Sequence, residues 1–116
     1  MLKFENDKGA ITISNDVFTW LAGNAATRCF GVKGMAGPKK ENGLVMLLRK
    51  ESMTKGVRVY SLGDAIDIEL HIVVDHGLNL VAVTDSIRKE VRYKVSEITG
   101  VKVGRVDVNI DSIVMD

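Results

Sequence analysis

Cysteine, proline and aromatic residues are scarce in this chain, and long apolar runs are absent. The single cysteine, Cys29, excludes an internal disulfide and a thiolate metal cage, and it fits a reducing compartment. The longest apolar run covers residues 44–48, whereas a membrane-spanning helix needs about 20 apolar residues. The polar residues 1–8 lack the apolar block of a signal peptide. We therefore expect a soluble cytoplasmic protein.

The composition is that of one ordinary globular domain. Of the 116 residues, 46% are hydrophobic and 27% are charged, which excludes disordered and collagen-like chains. A chain of this length buries roughly two-thirds of its unfolded surface when it folds. We expect a single domain over residues 1–116, in which residues 1–8 form a polar N-terminal extension.

The net charge of +1 conceals segments of opposite sign. Residues 28–58 hold eight basic and two acidic side chains, whereas residues 59–85 hold five acidic side chains and no lysine or arginine. Segregated charge attracts a partner of opposite sign or a second copy of the chain. The predicted interaction surface consists of basic residues of the first segment: Lys33, Lys39, Lys40, Arg49, Lys50, Lys55 and Arg58.

Alternation of apolar and polar residues predicts four strands. It covers residues 10–13, 57–60, 66–75 and 106–110. In the third strand the even-numbered aliphatic side chains face one way and the polar side chains face the other. The parity of the apolar residues changes near Gly104, which predicts a bulge there.

Two amphipathic helices are predicted between these strands. Apolar residues at helical spacing run from Val17 to Cys29 and from Leu80 to Ile98, and they mark the buried stripe of each helix. The residues that cap and end the helices are Ser14 or Asn15 and Gly31 for the first, and Asn79 and Gly100 for the second.

The glycine-rich residues 31–43 are predicted to form a loop, and residues 44–50 fit either a short helix or a buried strand. The element order is then β-α-(short helix)-β-β-α-β. This order favours an α+β fold, a two-layer sandwich with a ferredoxin-like antiparallel sheet and both helices on one of its faces. The outer strands, over residues 57–61 and 106–110, would carry unpaired backbone groups able to add a neighbour's strand.

Two histidines and an aspartate are the candidate metal ligands. His71 and Asp75 share one face of the predicted strand, and His76 follows them. The carboxylates that would complete an oxygen-rich site for a hard cation are Asp67, Glu69 or Asp107. We prefer the simpler interpretation, in which these are polar residues on the wet face of a sheet, and we predict no metal and no cofactor.

The sequence contains no catalytic constellation. Cys29 has a basic neighbour, Arg28, as a reactive thiolate requires, but its place on the buried helix stripe favours core packing. The serines lack a G-x-S-x-G elbow, and neither glycine-rich stretch continues into Gly-Lys-Ser/Thr. We predict that the protein is not an enzyme and has no small-molecule substrate.

The glycine-rich segment supports an alternative function. Residues 31–34 and 34–37 both fit a GxxG pattern, which between two helices clamps a nucleic-acid backbone. Tyr60 would be the only aromatic side chain on the open sheet face, where stacking platforms are needed, and the acidic neighbours repel phosphate. Nucleic-acid binding through this loop and the basic segment 33–58 is therefore the alternative to protein interaction.

The apolar run 44–48 lies inside the basic segment. Either it docks to a protein partner or an anionic membrane surface, or it packs beneath the domain while its lysine neighbours stay solvated. The sequence leaves both interpretations open.

Six blocks of the sequence match the pattern of a known family. The blocks are GAITIS (9–14), GVKGM (31–35), KGVRV (55–59), IELHIVVDHG (68–77), EITGVKV (97–103) and VDVNI (106–110) with Ile113. By their order and spacing the chain resembles, over residues 9–114, the alkaline shock protein family of Gram-positive bacteria, also called envelope stress response proteins. It departs from the pattern at Phe30, where a proline is usual, and in missing the charged tails of larger members.

This resemblance implies a cytoplasmic, non-enzymatic protein that works through protein–protein contacts. Some members of the family self-assemble beneath the membrane through a membrane-anchored partner, and short members resemble a housekeeping branch. The family has no catalytic residues to carry over. We therefore expect a scaffold that forms a homo-oligomer or docks to a protein partner near the membrane, with a role in the stress response of the cell envelope.

Overall fold

The computed structural model describes residues 2–39, 45–48 and 50–115. The elements in chain order are β1 (Leu2–Asn6), β2 (Gly9–Ile13), α1 (Asn15–Thr27), β3 (Val32–Lys39), β4 (Val45–Leu47), a 3₁₀ helix (Lys50–Gly56), β5 (Val57–Leu62), β6 (Ala65–Asp75), α2 (Leu80–Thr99) and β7 (Lys102–Val114).

β1 and β2 form an antiparallel hairpin with a two-stranded sheet of its own, and we call residues 2–13 the hairpin arm. The register pairs Leu2 with Ile13 and Phe4 with Ile11, so these four apolar side chains share one face of the arm. Leu2 is buried, and Phe4 and Ile13 pack against the core, whereas Ile11 is exposed.

The first strand of the arm was not predicted. Residues 1–8 were expected to be a polar extension, and this is corrected, because residues 2–6 form β1. The sequence does show two alternating apolar residues in this segment, Leu2 and Phe4. Two residues are too few to predict a strand unless the strand that pairs with them is known.

Both helices begin at the predicted capping residues. Ser14 Oγ accepts the backbone N–H of Asp16, and Asn79 Oδ1 accepts that of Ala82. α2 ends as predicted at Gly100, which has a left-handed φ of 74°. α1 ends at Thr27, earlier than the predicted stop at Gly31.

β6 is the central strand of the main sheet. β5 pairs with its residues 65–70 and β3 with its residues 72–74, both antiparallel, while β7 pairs along the opposite edge in parallel. The expectation of an antiparallel sheet is therefore wrong for β7. Because α2 carries the chain back along the sheet between β6 and β7, the two strands run in the same direction.

β7 contains two bulges, of which one was predicted. The first lies at Gly104 and Arg105, where the Arg105 N–H donates to Asp67 Oδ1 at 2.8 Å. This confirms the bulge inferred from the change of parity. At the second, the register passes from Ile110 to Ser112 and leaves Asp111 unpaired in the ladder.

β3 occupies the glycine-rich segment that was predicted to be a loop, so that prediction is wrong over residues 32–39. The glycines allow β4 to approach closely. A Cβ atom on Gly34 would lie 2.8 Å from Leu47 Cδ1, and one on Gly37 would lie 2.9 Å from Leu48 Cδ2.

The apolar run 44–48, for which the sequence allowed a short helix or a buried strand, contains a strand. Val45–Leu47 form β4, and the Leu48 N–H donates to the Met35 carbonyl at 2.8 Å. Leu48 packs against the core, whereas Met46 and Leu47 are exposed. The first residue of the run, Leu44, lies outside the described residues.

One core joins both helices to the main sheet. Its members include Phe18 and Leu21 of α1, the even-numbered residues 66–74 of β6, and Val83, Ile87, Val91 and Val95 of α2. Complete burial of each large aliphatic side chain contributes about 1.5–3 kcal/mol. The predicted α+β architecture, with two layers and both helices on one face of the sheet, is confirmed.

Candidate functional site: the interaction surfaces

The predicted basic surface is only partly described. Lys33 lies at the start of β3, with Nζ 3.5 Å from Asp75 Oδ1, and Arg58 lies on β5, with Nε 3.9 Å from Glu69 Oε2. Lys55 is exposed in the last turn of the 3₁₀ helix. Of Lys39 and Lys50 only the backbone is described, and Lys40 and Arg49 lie outside the described residues. Their grouping into one surface stays a prediction.

Lys33 also lines a cleft of about 310 Å³ between the end of α1 and the start of β3. Its other polar residues are Asn24, Thr27 and Arg28. The Thr27 hydroxyl is already occupied, because it lies within hydrogen-bond distance of the carbonyls of Gly23 and Asn24, at 2.9 and 3.0 Å. The cleft therefore pairs no nucleophile with a base.

The structure separates the three candidate metal ligands. His71 lies on the open face of the sheet, with Nδ1 2.9 Å from Asp111 Oδ2 and Nε2 3.2 Å from Glu69 Oε2. Asp75 faces Lys33 instead, and His76 Nδ1 lies 3.1 Å from the Val114 carbonyl. A carboxylate oxygen thus lies within hydrogen-bond distance of each ring nitrogen of His71.

Of the three proposed carboxylate donors, Glu69 contacts His71, and the other two are engaged elsewhere. Asp67 accepts the Arg105 N–H, and Asp107 Oδ1 lies 3.1 Å from Arg105 Nη2. Within the described parts of the chain, no group of three or more His, Cys, Asp or Glu side chains is placed to hold a metal ion.

Cys29 is a half-buried residue that packs against the core, beyond the end of α1. Its Sγ lies 3.4 Å from the Ala25 carbonyl. Burial raises the pKa of the thiol, and the negative charge of Glu90 raises it further. A raised pKa disfavours the thiolate at neutral pH, which is the opposite of what a nucleophilic cysteine requires.

The GxxG hypothesis loses its structural basis. Residues 32–37 lie in β3 and not in a loop between helices, and Gly34 and Gly37 are buried against β4. Their backbone amides are therefore not arranged to clamp a phosphate backbone, and the GxxG loop on which the nucleic-acid alternative depended is withdrawn.

An apolar groove between the two helices was not predicted. It starts at Val17, Trp20, Leu21 and Ile98, with Asp16 at its edge, and continues toward the C-terminal end of α1. Trp20 is 53% exposed and Ile98 is 62% exposed. The residues that line its far part are Asn24, Ala25, Arg28, Glu90 and Lys94. We call the whole feature the helical groove.

Two of the groove residues, Val17 and Ile98, had been assigned to the buried stripes of their helices, and that assignment is wrong. Helical spacing places them on the inward side, but it does not show that the partner helix leaves these positions uncovered. Trp20 was the available signal, because it lies off the stripe and a large aromatic side chain on the outer face of a helix is unusual.

The two predicted outer strands are outer strands in the structure. In the described sheet, β5 and β7 each pair only with β6. Two arginines of α2 reach the backbone of β7: Arg88 Nε donates to the Val106 carbonyl at 3.2 Å and Arg92 Nη2 to the Gly104 carbonyl at 2.6 Å. An incoming strand would compete with these bonds for the first half of β7.

No helix in the described residues combines the length and the apolar character that crossing a bilayer requires. The fold and these surfaces define a small α+β domain with exposed apolar and charged surfaces. The chain belongs to the alkaline shock protein 23 family, described as having a cell envelope-related function, whose family model matches residues 3–115. This confirms the resemblance found in the sequence.

The chain is also similar to proteins of Gram-positive bacteria. It is 35% identical over 106 residues to the Bacillus subtilis protein YloU, an alignment that covers 90% of this chain and 88% of YloU. It is 32% identical over 114 residues to the Streptococcus pyogenes protein Spy1614, covering 97% of this chain and 93% of that protein.

Among solved structures, the fold resembles that of the MamM CTD. A variant of that domain superposes with a TM-score of 0.52 and 17% sequence identity, covering 84% of this chain and 96% of the MamM chain. At this level of identity the likeness concerns the fold alone. It supports the ferredoxin-like assignment within the α+β class.

Proposed function

We propose that this chain is a non-enzymatic interaction protein of the cell envelope, which acts by self-association or by docking to a protein partner near the membrane. The observation that carries the proposal is the helical groove, where Val17, Trp20 and Ile98 are exposed side by side. Contiguous apolar surface of this kind costs free energy in water and is typical of interaction sites.

The polar side chains that chemistry would need are engaged in contacts that stabilise the fold. His71 lies between two carboxylates, and the Cys29 thiol is half-buried with a raised pKa. The membership of an envelope-related family supports an interaction role. We place the protein in the cytoplasm, with membrane association through a partner, as the family resemblance implies.

The basic side chains Lys33, Lys55 and Arg58, with the rest of the predicted interaction surface, are proposed as the contact for an acidic partner. A surface of one sign speeds association with a partner of the opposite sign and makes it sensitive to salt. Glutamate substitutions at Lys55 and Arg58 should therefore weaken partner binding while leaving self-association unchanged.

Light scattering of the purified full chain, over concentrations from micromolar to millimolar, tests the self-association directly. We expect the average mass to rise above that of the 12.7 kDa chain as the concentration increases. The Trp20→Glu variant should shift this rise to higher concentration, since a charge in the groove opposes its burial. A strict monomer at every concentration would contradict self-association.

A further inference from the structure

β7 presents the longest outer edge in the described part of the sheet. It has 13 residues, whereas β5 has six, and each of the two strands pairs only with β6. The unpaired N–H and C=O groups of an outer strand can accept a strand from another chain, and repeated addition leads to aggregates. We call the side of β7 that faces away from β6 the outer edge of β7.

Two arginines of α2 lie over this edge. Glu90 and Lys94 line the groove on the side of α2 that faces α1. Arg92 is two residues from each of them, so the helical rotation places it on the opposite side of α2. Arg88 precedes Arg92 by four residues and therefore lies on the same side. Both side chains accordingly reach β7 and not α1.

The arginines occupy backbone carbonyls that an added strand would need. Arg92 Nη2 donates to the Gly104 carbonyl at 2.6 Å, and Arg88 Nε donates to the Val106 carbonyl at 3.2 Å. Asp85 Oδ1 lies 2.9 Å from Arg88 Nη1 and holds that guanidinium in place. Hydrogen bonds from a charged donor are stronger than those from a backbone amide, so an incoming strand gains little by displacing them.

The first bulge of β7 closes the edge in a second way. The peptide group between Gly104 and Arg105 is bonded by side chains at both ends, because its C=O accepts from Arg92 and its N–H donates to Asp67 Oδ1 at 2.8 Å. A Cβ atom on Gly104 would lie 2.5 Å from the same Asp67 oxygen, so a larger residue would disturb this arrangement. The peptide group therefore offers neither of its polar atoms to another strand.

We propose that Arg88 and Arg92 block strand addition at the outer edge of β7, so that neither a second copy nor an extended peptide joins the sheet there. The second bulge, at Asp111, interrupts the ladder again. Between the occupied carbonyl of Val106 and this bulge only residues 107–110 remain, fewer than the five or six residues of a typical strand. This inference goes beyond the proposed function, since it concerns a surface that is kept from associating.

Two double variants of the full chain test the inference. Arg88→Ala/Arg92→Ala frees the two carbonyls, whereas the control, Lys8→Ala/Lys89→Ala, removes the same charge from exposed side chains outside the edge. In sedimentation velocity the arginine variant should begin to associate at about a tenfold lower concentration than the wild type, because several backbone hydrogen bonds become available together. The control should associate as the wild type does.

Hydrogen exchange shows where the variant associates. In the associated arginine variant the amides of residues 106–110 should become protected relative to the monomer. A variant that associates as the wild type does at every concentration, or one that associates without protection of β7, would overturn the inference. A monomeric wild type beside an associating arginine variant would contradict the proposed self-association and support this inference.

Two milder variants keep the test decisive if the double variant does not fold. Arg92→Ala removes the shorter of the two bonds and leaves Arg88 in place, and Asp85→Ala keeps both arginines but releases the Arg88 guanidinium. Each should lower the concentration at which association begins, by less than the tenfold expected of the double variant. An unchanged onset in the folded Arg92→Ala protein would contradict the role assigned to the arginines.

Discussion

His71 joins the two longest strands of the sheet through side chains. Asp111, the residue left over at the second bulge of β7, directs its carboxylate to His71 Nδ1, and Glu69 of β6 faces Nε2. The bulge interrupts the backbone pairing of β7 with β6, but its extra residue, Asp111, adds a side-chain contact between the same two strands. What the sequence suggested as a metal ligand is a link between β6 and β7.

His71→Ala should lower the free energy of unfolding by about 1–2 kcal/mol, because it removes a side chain whose ring nitrogens contact two carboxylates. His76→Ala is the matched control, since its exposed ring contacts one backbone carbonyl, and it should cost less than about 0.5 kcal/mol. Urea denaturation measures both values. Equal effects of the two substitutions would contradict the role assigned to His71.

Cys29 should react slowly with thiol reagents at neutral pH. Burial and Glu90 raise the pKa of its thiol, so the reactive thiolate is scarcer than in a free cysteine, and the rate should rise only at more alkaline pH. Glu90→Gln removes one of the two causes and should shift the profile of alkylation rate to lower pH. A folded protein that reacts as fast at pH 7 as an unstructured cysteine peptide would refute this account.

At the scale of the elements, the sequence correctly predicted the helices and strands whose signals lie within the element itself. β6, α2 and the first bulge of β7 follow from apolar periodicity and from capping residues, which act within a few residues of one another. β1 and β3 depend on strands elsewhere in the chain. Their own residues, polar in one case and glycine-rich in the other, resemble loops when the pairing partner is unknown.

The 3₁₀ helix packs so closely on the sheet that Gly56 cannot be replaced without movement of backbone. A Cβ atom there would lie 3.0 Å from the Ala36 carbonyl oxygen and 3.1 Å from that of His71. Gly56→Ala should therefore destabilise the protein by about 2–3 kcal/mol, measured by thermal or urea unfolding.

Gly23→Ala is the comparison for that substitution, because it lies inside α1 and its Cβ atom would meet only the Met53 and Val57 side chains, at 3.4 Å or more. Alanine is the better helix former, so this change should stabilise the protein by up to about 1 kcal/mol. If both substitutions changed stability in the same direction, the packing described for the 3₁₀ helix would be wrong.

At the scale of the whole molecule, the candidate surfaces differ in how far the sequence reveals them. The basic surface follows from charge counting, but which of its residues act together depends on folding. The helical groove was missed because helical periodicity predicts which residues face inward and not how far the neighbouring helix covers them. The outer strands were predicted because four alternating segments must leave two at the edges.

Hydrogen exchange measured at two protein concentrations is the most direct test of the claim that this chain works by association of its surfaces. In the monomer the helical groove is open to solvent at Trp20 and Ile98, which are 53% and 62% exposed. At a concentration where light scattering shows association, the parts of α1 and α2 that line the groove should become more protected, while β5 and the 3₁₀ helix stay as they were. Identical exchange at both concentrations, or protection confined to β5 or β7, would contradict the account.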